Sequence, residues 1–84
     1  MTYRVELETR ARREFLELPR DIQRRLSGAI DDVTLNPRPP GAKKLTGQDG
    51  YRVRQSSYRM LYVVNDREKI ARIYRIGHRR EIYR

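Results

Sequence analysis

Eighty-four residues with no cysteine allow one small hydrophobic core, no disulfide and no thiolate metal site. Apolar and charged residues each make up 37% of the chain, and the formal net charge is +9. A lone histidine excludes a multi-histidine metal cluster, and an excess of positive charge this large fits nucleic acid, a ribosome surface or an acidic protein partner. The longest apolar run, Met60 to Val64, is far too short to span a bilayer. Met1 to Leu7 carries Arg4 and Glu6 and has no apolar signal core. The expectation is a single soluble domain over residues 1–84, cytoplasmic and not bound to membrane.

In chain order, residues 2–8 alternate, with Tyr3, Val5 and Leu7 on one side, as in a half-buried strand. From Thr9 the period changes. Ala11, Phe15 and Leu18 follow helical spacing, Thr9 is a candidate N-cap, and Pro19 closes this helix and can open the next. Ile22, Leu26, Ala29, Ile30 and Val33 then form one continuous apolar stripe, ended by Asn36-Pro37. Residues 36–50, with three prolines and three glycines, read as a long loop. Strands are predicted near 51–56, 58–65 and 69–77, with Asn65-Asp66-Arg67 as the turn between the last two. The unbroken apolar run in the second of these predicts a central strand covered on both faces. The resulting fold class is α+β, order β-α-α-β-β-β, with two helices packed on one face of a small, mainly antiparallel sheet and the other face left to arginines.

Five of the six tyrosines are followed directly by arginine: Tyr3-Arg4, Tyr51-Arg52, Tyr58-Arg59, Tyr74-Arg75 and Tyr83-Arg84. Neighbouring side chains on a strand point to opposite faces, so such a pair packs a ring on one side and presents a guanidinium on the other. Residues 1–48 carry ten basic against seven acidic groups, and residues 49–84 ten against four. All but Lys43, Lys44 and Lys69 of the 20 basic residues are arginine. Arginine grips phosphate with a planar fork and stacks on bases; a GC-rich genome is the alternative source of the bias.

No P-loop, dinucleotide-binding glycine pattern, Ser-His-Asp set or cysteine nucleophile is present. Asp31-Asp32, Glu14 and Glu17 read as solvated helix faces, and neither a metal nor a cofactor is expected. What remains is Arg52, Arg54, Arg59, Arg79, Arg80 and Tyr83, with His78 nearby. RNA brings its own nucleophile, the 2′-hydroxyl. A protein that cleaves it has to align that group with the phosphate, neutralise the developing charge and protonate the leaving oxygen. Guanidinium groups can supply the charge, and a tyrosine can stack on a base or move a proton. By composition alone, plain phosphate binding is the likelier reading of any one of these arginines.

The stretch Tyr51-Arg52-Val53-Arg54 with Tyr58-Arg59-Met60-Leu61-Tyr62 resembles the RelE/ParE toxin superfamily. So do the connector Asn36-Pro37-Arg38 to Lys44-Leu45 and the tail Gly77-His78-Arg79-Arg80-Glu81-Ile82-Tyr83. The RelE branch consists of toxins of type II toxin–antitoxin pairs that cleave messenger RNA in the ribosomal A site. The resemblance therefore implies an endoribonuclease whose partners are a cognate antitoxin, mRNA and the 70S ribosome. It places catalytic roles on Arg52, Arg54, Arg59, Arg79 and Tyr83. Lys43, Lys44 and Arg80 are RNA-backbone contacts or solvated charges, and His78 is an auxiliary at most. Related enzymes commonly have lysine where Arg52 and Arg54 stand, and arginine cannot give up its proton, so neither can be the general base. Two other readings remain open: a ParE-like inhibitor of DNA gyrase, and a non-catalytic RNA- or ribosome-binding module.

Overall fold

The structure of the protein, a computed structural model, describes residues 2–82. Strand β1 (Arg4–Leu7) leads into helices α1 (Thr9–Leu16) and α2 (Arg20–Leu35). Then follow β2 (Lys43–Lys44), β3 (Tyr51–Gln55), β4 (Tyr58–Asn65), β5 (Ile70–His78) and a short helix α3 (Arg79–Ile82). The sheet order is β1-β5-β4-β3-β2; β1 runs parallel to β5, and the other pairs are antiparallel. Helices α1 and α2 cover one face, as the sequence pattern predicts. No helix among the described residues is long and apolar enough to cross a membrane.

The stripe on α2 buries Ile22, Leu26, Ala29 and Val33 against Val53, Met60, Tyr62, Ala71, Ile73 and Ile76 of the sheet, with Ala11 of α1 closing the core. Each large aliphatic side chain moved out of water there contributes roughly 1.5–3 kcal/mol. Pro19 stands at the N-cap of α2, where a missing N–H costs nothing. Asn36 turns extended (φ −150°) ahead of Pro37, the conformation a following proline enforces. Thr9 is the first helical residue and not the cap. Glu8 is the cap, because its N–H is already committed to Ile73 O (2.9 Å) and the chain leaves the sheet there in extended form.

β4 occupies the middle of the sheet and is buried on both sides at its centre, Met60 to Tyr62. Met60 and Tyr62 enter the main core, while Leu61 points the other way into a second cluster with Leu45 and Ile82, flanked by Tyr74. The face opposite the helices is therefore not surrendered to arginine, because a strand buried in the middle of a sheet needs apolar cover on both sides. Two elements absent from the sequence reading supply that cover. β2 brings in Leu45, and α3 brings in Ile82. A two-residue strand and a single helical turn are too short to show any periodicity.

β5 carries a bulge. Leu61 faces Arg75 and Tyr62 faces Ile73, which leaves Tyr74 as the extra residue. The insertion returns Ile76 to the same face as Ile73, so both enter the main core although they are three positions apart. β1 stops opposite Ile73, and beyond that point α1 covers the edge of β5. There Glu14 accepts the Ile76 N–H (2.9 Å) and pairs with Arg75 Nε (3.2 Å). Glu14 is thus not a solvated helix-face residue: its carboxylate serves a backbone donor that the shorter β1 leaves without a strand partner.

Gly50 enters β3 at φ +114°, and a Cβ on it would lie 2.7 Å from Tyr62 O. Gly50→Ala is expected to cost roughly 1–3 kcal/mol through backbone strain alone. Thermal unfolding followed by circular dichroism should show a melting temperature lower by several degrees.

Candidate nucleic-acid interface

On the face away from the helices, side chains of β3 and β4 are set by register. Arg52 lies opposite Leu61, and Arg54 lies directly opposite Arg59. On the outer side of β3, Lys43 lies opposite Arg52. Cross-strand partners on one face have Cβ atoms about 5 Å apart, and like charges so placed repel. Among the described residues, ion pairs join Arg4 and Arg72 to Glu6, Arg10 and Arg75 to Glu14, and Arg38 to Asp66; neither Arg52 nor Arg54 takes part in one. Lys44, Leu45, Thr46, Gln48, Arg52, Arg54 and Arg59 line an open groove of about 410 Å³. A smaller hollow of about 210 Å³ lies between Gly41, Lys43, Arg52 and Arg54. Among the described residues both linings contain cations and no carboxylate, an arrangement suited to phosphate oxygens.

The remaining sequence candidates fall at the end of β5. The Arg79 N–H donates to Ser57 O (2.8 Å) in the β3–β4 turn. That bond sets the start of α3 at the end of the sheet where Arg54 and Arg59 face each other. Arg79 and Arg80 are exposed, and Ile82 is buried beneath Leu61 and Leu45. His78 lies opposite Tyr58, with the rings edge to face at 5.5 Å, and shares a pocket with Glu14, Glu17 and Leu18 of the helical layer. Its ring is therefore on the helix side, away from Arg52, Arg54 and Arg59. Tyr83 lies outside the described residues.

The connector between α2 and β3 is pinned to the sheet by groups that sequence reasoning missed. Tyr62 OH donates to Pro37 O (2.7 Å), and Arg38 Nε donates to Tyr51 OH (2.8 Å). The Arg38 guanidinium also grips both carboxylate oxygens of Asp66 (3.1 and 2.8 Å) and lies 5.3 Å from the centre of the Tyr51 ring. Tyr51 and Tyr62 stack at 5.9 Å. Tyr3 OH donates to the same Asp66 carboxylate. Burial, reinforced by neighbouring Tyr51, pushes the Tyr62 hydroxyl up to about 12, so it stays protonated as a donor. The hydrogen bonds to Asp66 and Tyr51 raise the Arg38 guanidinium further above its ordinary range. Four of the Tyr-Arg tyrosines are thus occupied in structure: Tyr3 and Tyr51 in this network, Tyr58 against His78, and Tyr74 against the cluster of Leu45, Leu61 and Ile82. The signal for the network was slight, since an arginine in a proline-rich loop and an aspartate in a turn both read as surface charges.

Residues 5–83 match the family described as "ParE toxin of type II toxin-antitoxin system, parDE". Toxin RelG of Mycobacterium tuberculosis (strain ATCC 25618 / H37Rv) is 33% identical, covering 100% of this chain and 99% of its own length. Among solved structures, an E. coli RelE arginine-to-alanine double mutant in the free state superposes with a TM-score of 0.84 at 26% identity, over 99% of this chain and 90% of that one. The M. tuberculosis RelBE2 toxin–antitoxin complex gives a TM-score of 0.81 at 28% identity, covering 93% and 99%. The archaeal RelE–RelB complex from Pyrococcus horikoshii OT3 gives 0.80 at 30%, covering 96% and 99%. The family match and these relatives define a toxin of a type II toxin–antitoxin system. The chain belongs to the RelE/ParE superfamily of such toxins.

The Arg38–Asp66 clamp has a pH signature. Its hydrogen bonds to Arg38 first, and to Tyr3 next, lower the Asp66 carboxyl to about 2. A carboxyl held below its unfolded value of about 4 adds stability above that pH and loses it as the pH falls through the folded value. Asp66→Asn is therefore expected to melt below the wild type at pH above about 5, with the gap closing towards pH 2. Thermal denaturation across that range checks it.

Proposed function

We propose that this toxin is an mRNA endoribonuclease acting on translated messages in the ribosomal A site, and that a cognate antitoxin holds it in check. The observation that carries the reading is the cross-strand pair Arg54 and Arg59 beside Arg52, on a groove with no carboxylate in its lining. Guanidinium groups on neighbouring strands can share one phosphate, each adding charge-assisted hydrogen bonds to its oxygens. Binding energy of this kind grows as charge builds on the phosphorus, which favours the transition state over the ground state.

In the proposed reaction the RNA 2′-oxygen attacks the adjacent phosphorus in line and the 5′-oxygen of the next nucleotide leaves. The products are a 2′,3′-cyclic phosphate and a 5′-hydroxyl end. Arg52, Arg54 and Arg59 stabilise the five-coordinate phosphate, and Arg79 closes the same end of the sheet. Lys43, Lys44 and Arg80 hold the flanking backbone. No guanidinium can take the 2′-proton. Tyr83 is the proton-handling or stacking residue in this scheme, and groups of the RNA or ribosome complete it. His78 takes no part, since its ring packs on Tyr58 on the opposite side. The solved RelE–RelB and RelBE complexes support an antitoxin as the controlling partner.

The match to the ParE description favours a second reading, inhibition of DNA gyrase without RNA cleavage. A supercoiling assay beside a purified translation reaction with primer extension separates the two. The proposed function requires discrete stops in the message and unimpaired supercoiling. Inhibited gyrase with an intact message would replace it.

Arg79→Ala and Tyr83→Phe are each expected to lower the stops by at least about tenfold, a minimum for loss of a charge-stabilising or proton-moving group. Arg54→Ala should do the same while leaving the melting temperature unchanged or raising stability by up to about 1 kcal/mol, because it removes a like-charge neighbour. In direct RNA binding, loss of any one phosphate contact should reduce the slope of log affinity against log salt by about 0.7.

A further inference from the structure

Most polar side chains around the groove are cations. Lys44, Arg52, Arg54 and Arg59 can hold phosphates, and phosphate contacts carry no sequence information. Thr46 and Gln48 are the neutral polar members of the lining. Gln48 alone among these lining residues has an amide, which offers a donor and an acceptor side by side and can pair with the edge of an unstacked base.

The loop that presents Gln48 is held at both ends. The Leu45 N–H donates to Gly50 O (2.9 Å), and Leu45 is buried against Leu61 and Ile82. Gly47 and Gly50 adopt φ +77° and +114°, and Gly50 lies against the Tyr62 carbonyl, which leaves no room for a side chain there. A loop closed in this way presents its side chains with little ordering left to do on binding.

We propose that Gln48 reads a nucleobase next to the phosphate held by Arg52, Arg54 and Arg59, and so sets the nucleotide preference of this toxin. The inference rests on the endoribonuclease reading for the position of the cut, but not for the recognition itself. Each bidentate amide–base pairing supplies discrimination on the order of tenfold or more. The arginines and lysines act alike on every sequence, whereas Gln48 acts on one base.

Two measurements on the full chain test this. In a purified translation system with a defined message, sequencing of the 5′ ends gives cleavage at each site for wild type, Gln48→Ala and Gln48→Glu. Gln48→Ala should keep total cleavage within about threefold while flattening the spread between strong and weak sites by roughly tenfold. Gln48→Glu offers acceptors only and should shift the preference towards base edges that present two donors, such as the Watson–Crick edge of guanine. Arg54→Ala, by contrast, should lower all sites together. In parallel, fluorescence anisotropy with four short RNAs differing at one base should show a preference in wild type that Gln48→Ala loses. If wild type binds with a base preference but does not cut, the endoribonuclease reading fails and the recognition role stands. An unchanged site profile and unchanged binding preference in Gln48→Ala overturn the proposal, as does a wild type with no preference in either assay. Gln48 is exposed, so both variants should melt with the wild type.

Discussion

β4 has to be dry on both faces, and most of the architecture is a response to that. On one side the helices meet Met60 and Tyr62 and form the main core. On the other, Leu61 needs cover that the two helices cannot provide. Leu45 from the connector and Ile82 from the terminal helix provide it, with Tyr74 beside them. The functional consequence is indirect. Burying one leucine draws the connector and the C-terminal turn onto the arginine face, and the connector lines the groove there.

The tyrosines that alternate with arginine belong largely to this scaffold. Tyr51 and Tyr62 stack, and their hydroxyls engage Arg38 and Pro37, so the connector is fixed at its beginning before it reaches Lys43 and Lys44. Asp66 gathers Arg38 and Tyr3 at the far turn. Arg75 is spent on Glu14, and Arg38 on Asp66. Arg52 and Arg54 take part in no such pair, and their register sets them towards the groove. On the sheet, position and not residue type decides whether an arginine meets a carboxylate, as Arg75 does, or lines the groove, as Arg52 and Arg54 do.

Two demanding positions lie beside the groove. Arg54 and Arg59 are held opposite each other by the hairpin, and Gly50 accepts a backbone conformation open to few other residues. The main core, with Leu26, Val33, Met60, Tyr62 and Ile73 fully buried, supplies the stability that tolerates both. A site that binds a dense negative charge works by keeping its cations close when the charge is absent, which a flexible surface would not do.

Local order along the chain was legible in the sequence: the stripe on α2, the proline and Asn-Pro boundaries, the three consecutive strands and the burial of β4 on both sides. These follow from periodicity and from backbone limits on proline, which act within a few residues. The family motifs further pointed to Arg52, Arg54 and Arg59, which the structure brings to one face, and to Arg79 at its end. Only the tertiary structure decided the rest. The bulge at Tyr74 shifts which residues face inward, Glu14 leaves the solvent to serve Ile76, and His78 turns to the helical side. Lys43-Lys44 becomes a strand because β3 offers it an edge. Thr46 and Gln48 enter the groove because Leu45 must be buried. In each case the cause is a partner outside the local segment, from Tyr51 opposite Lys44 to Ile76 against Glu14, and such a partner leaves no pattern in the local sequence.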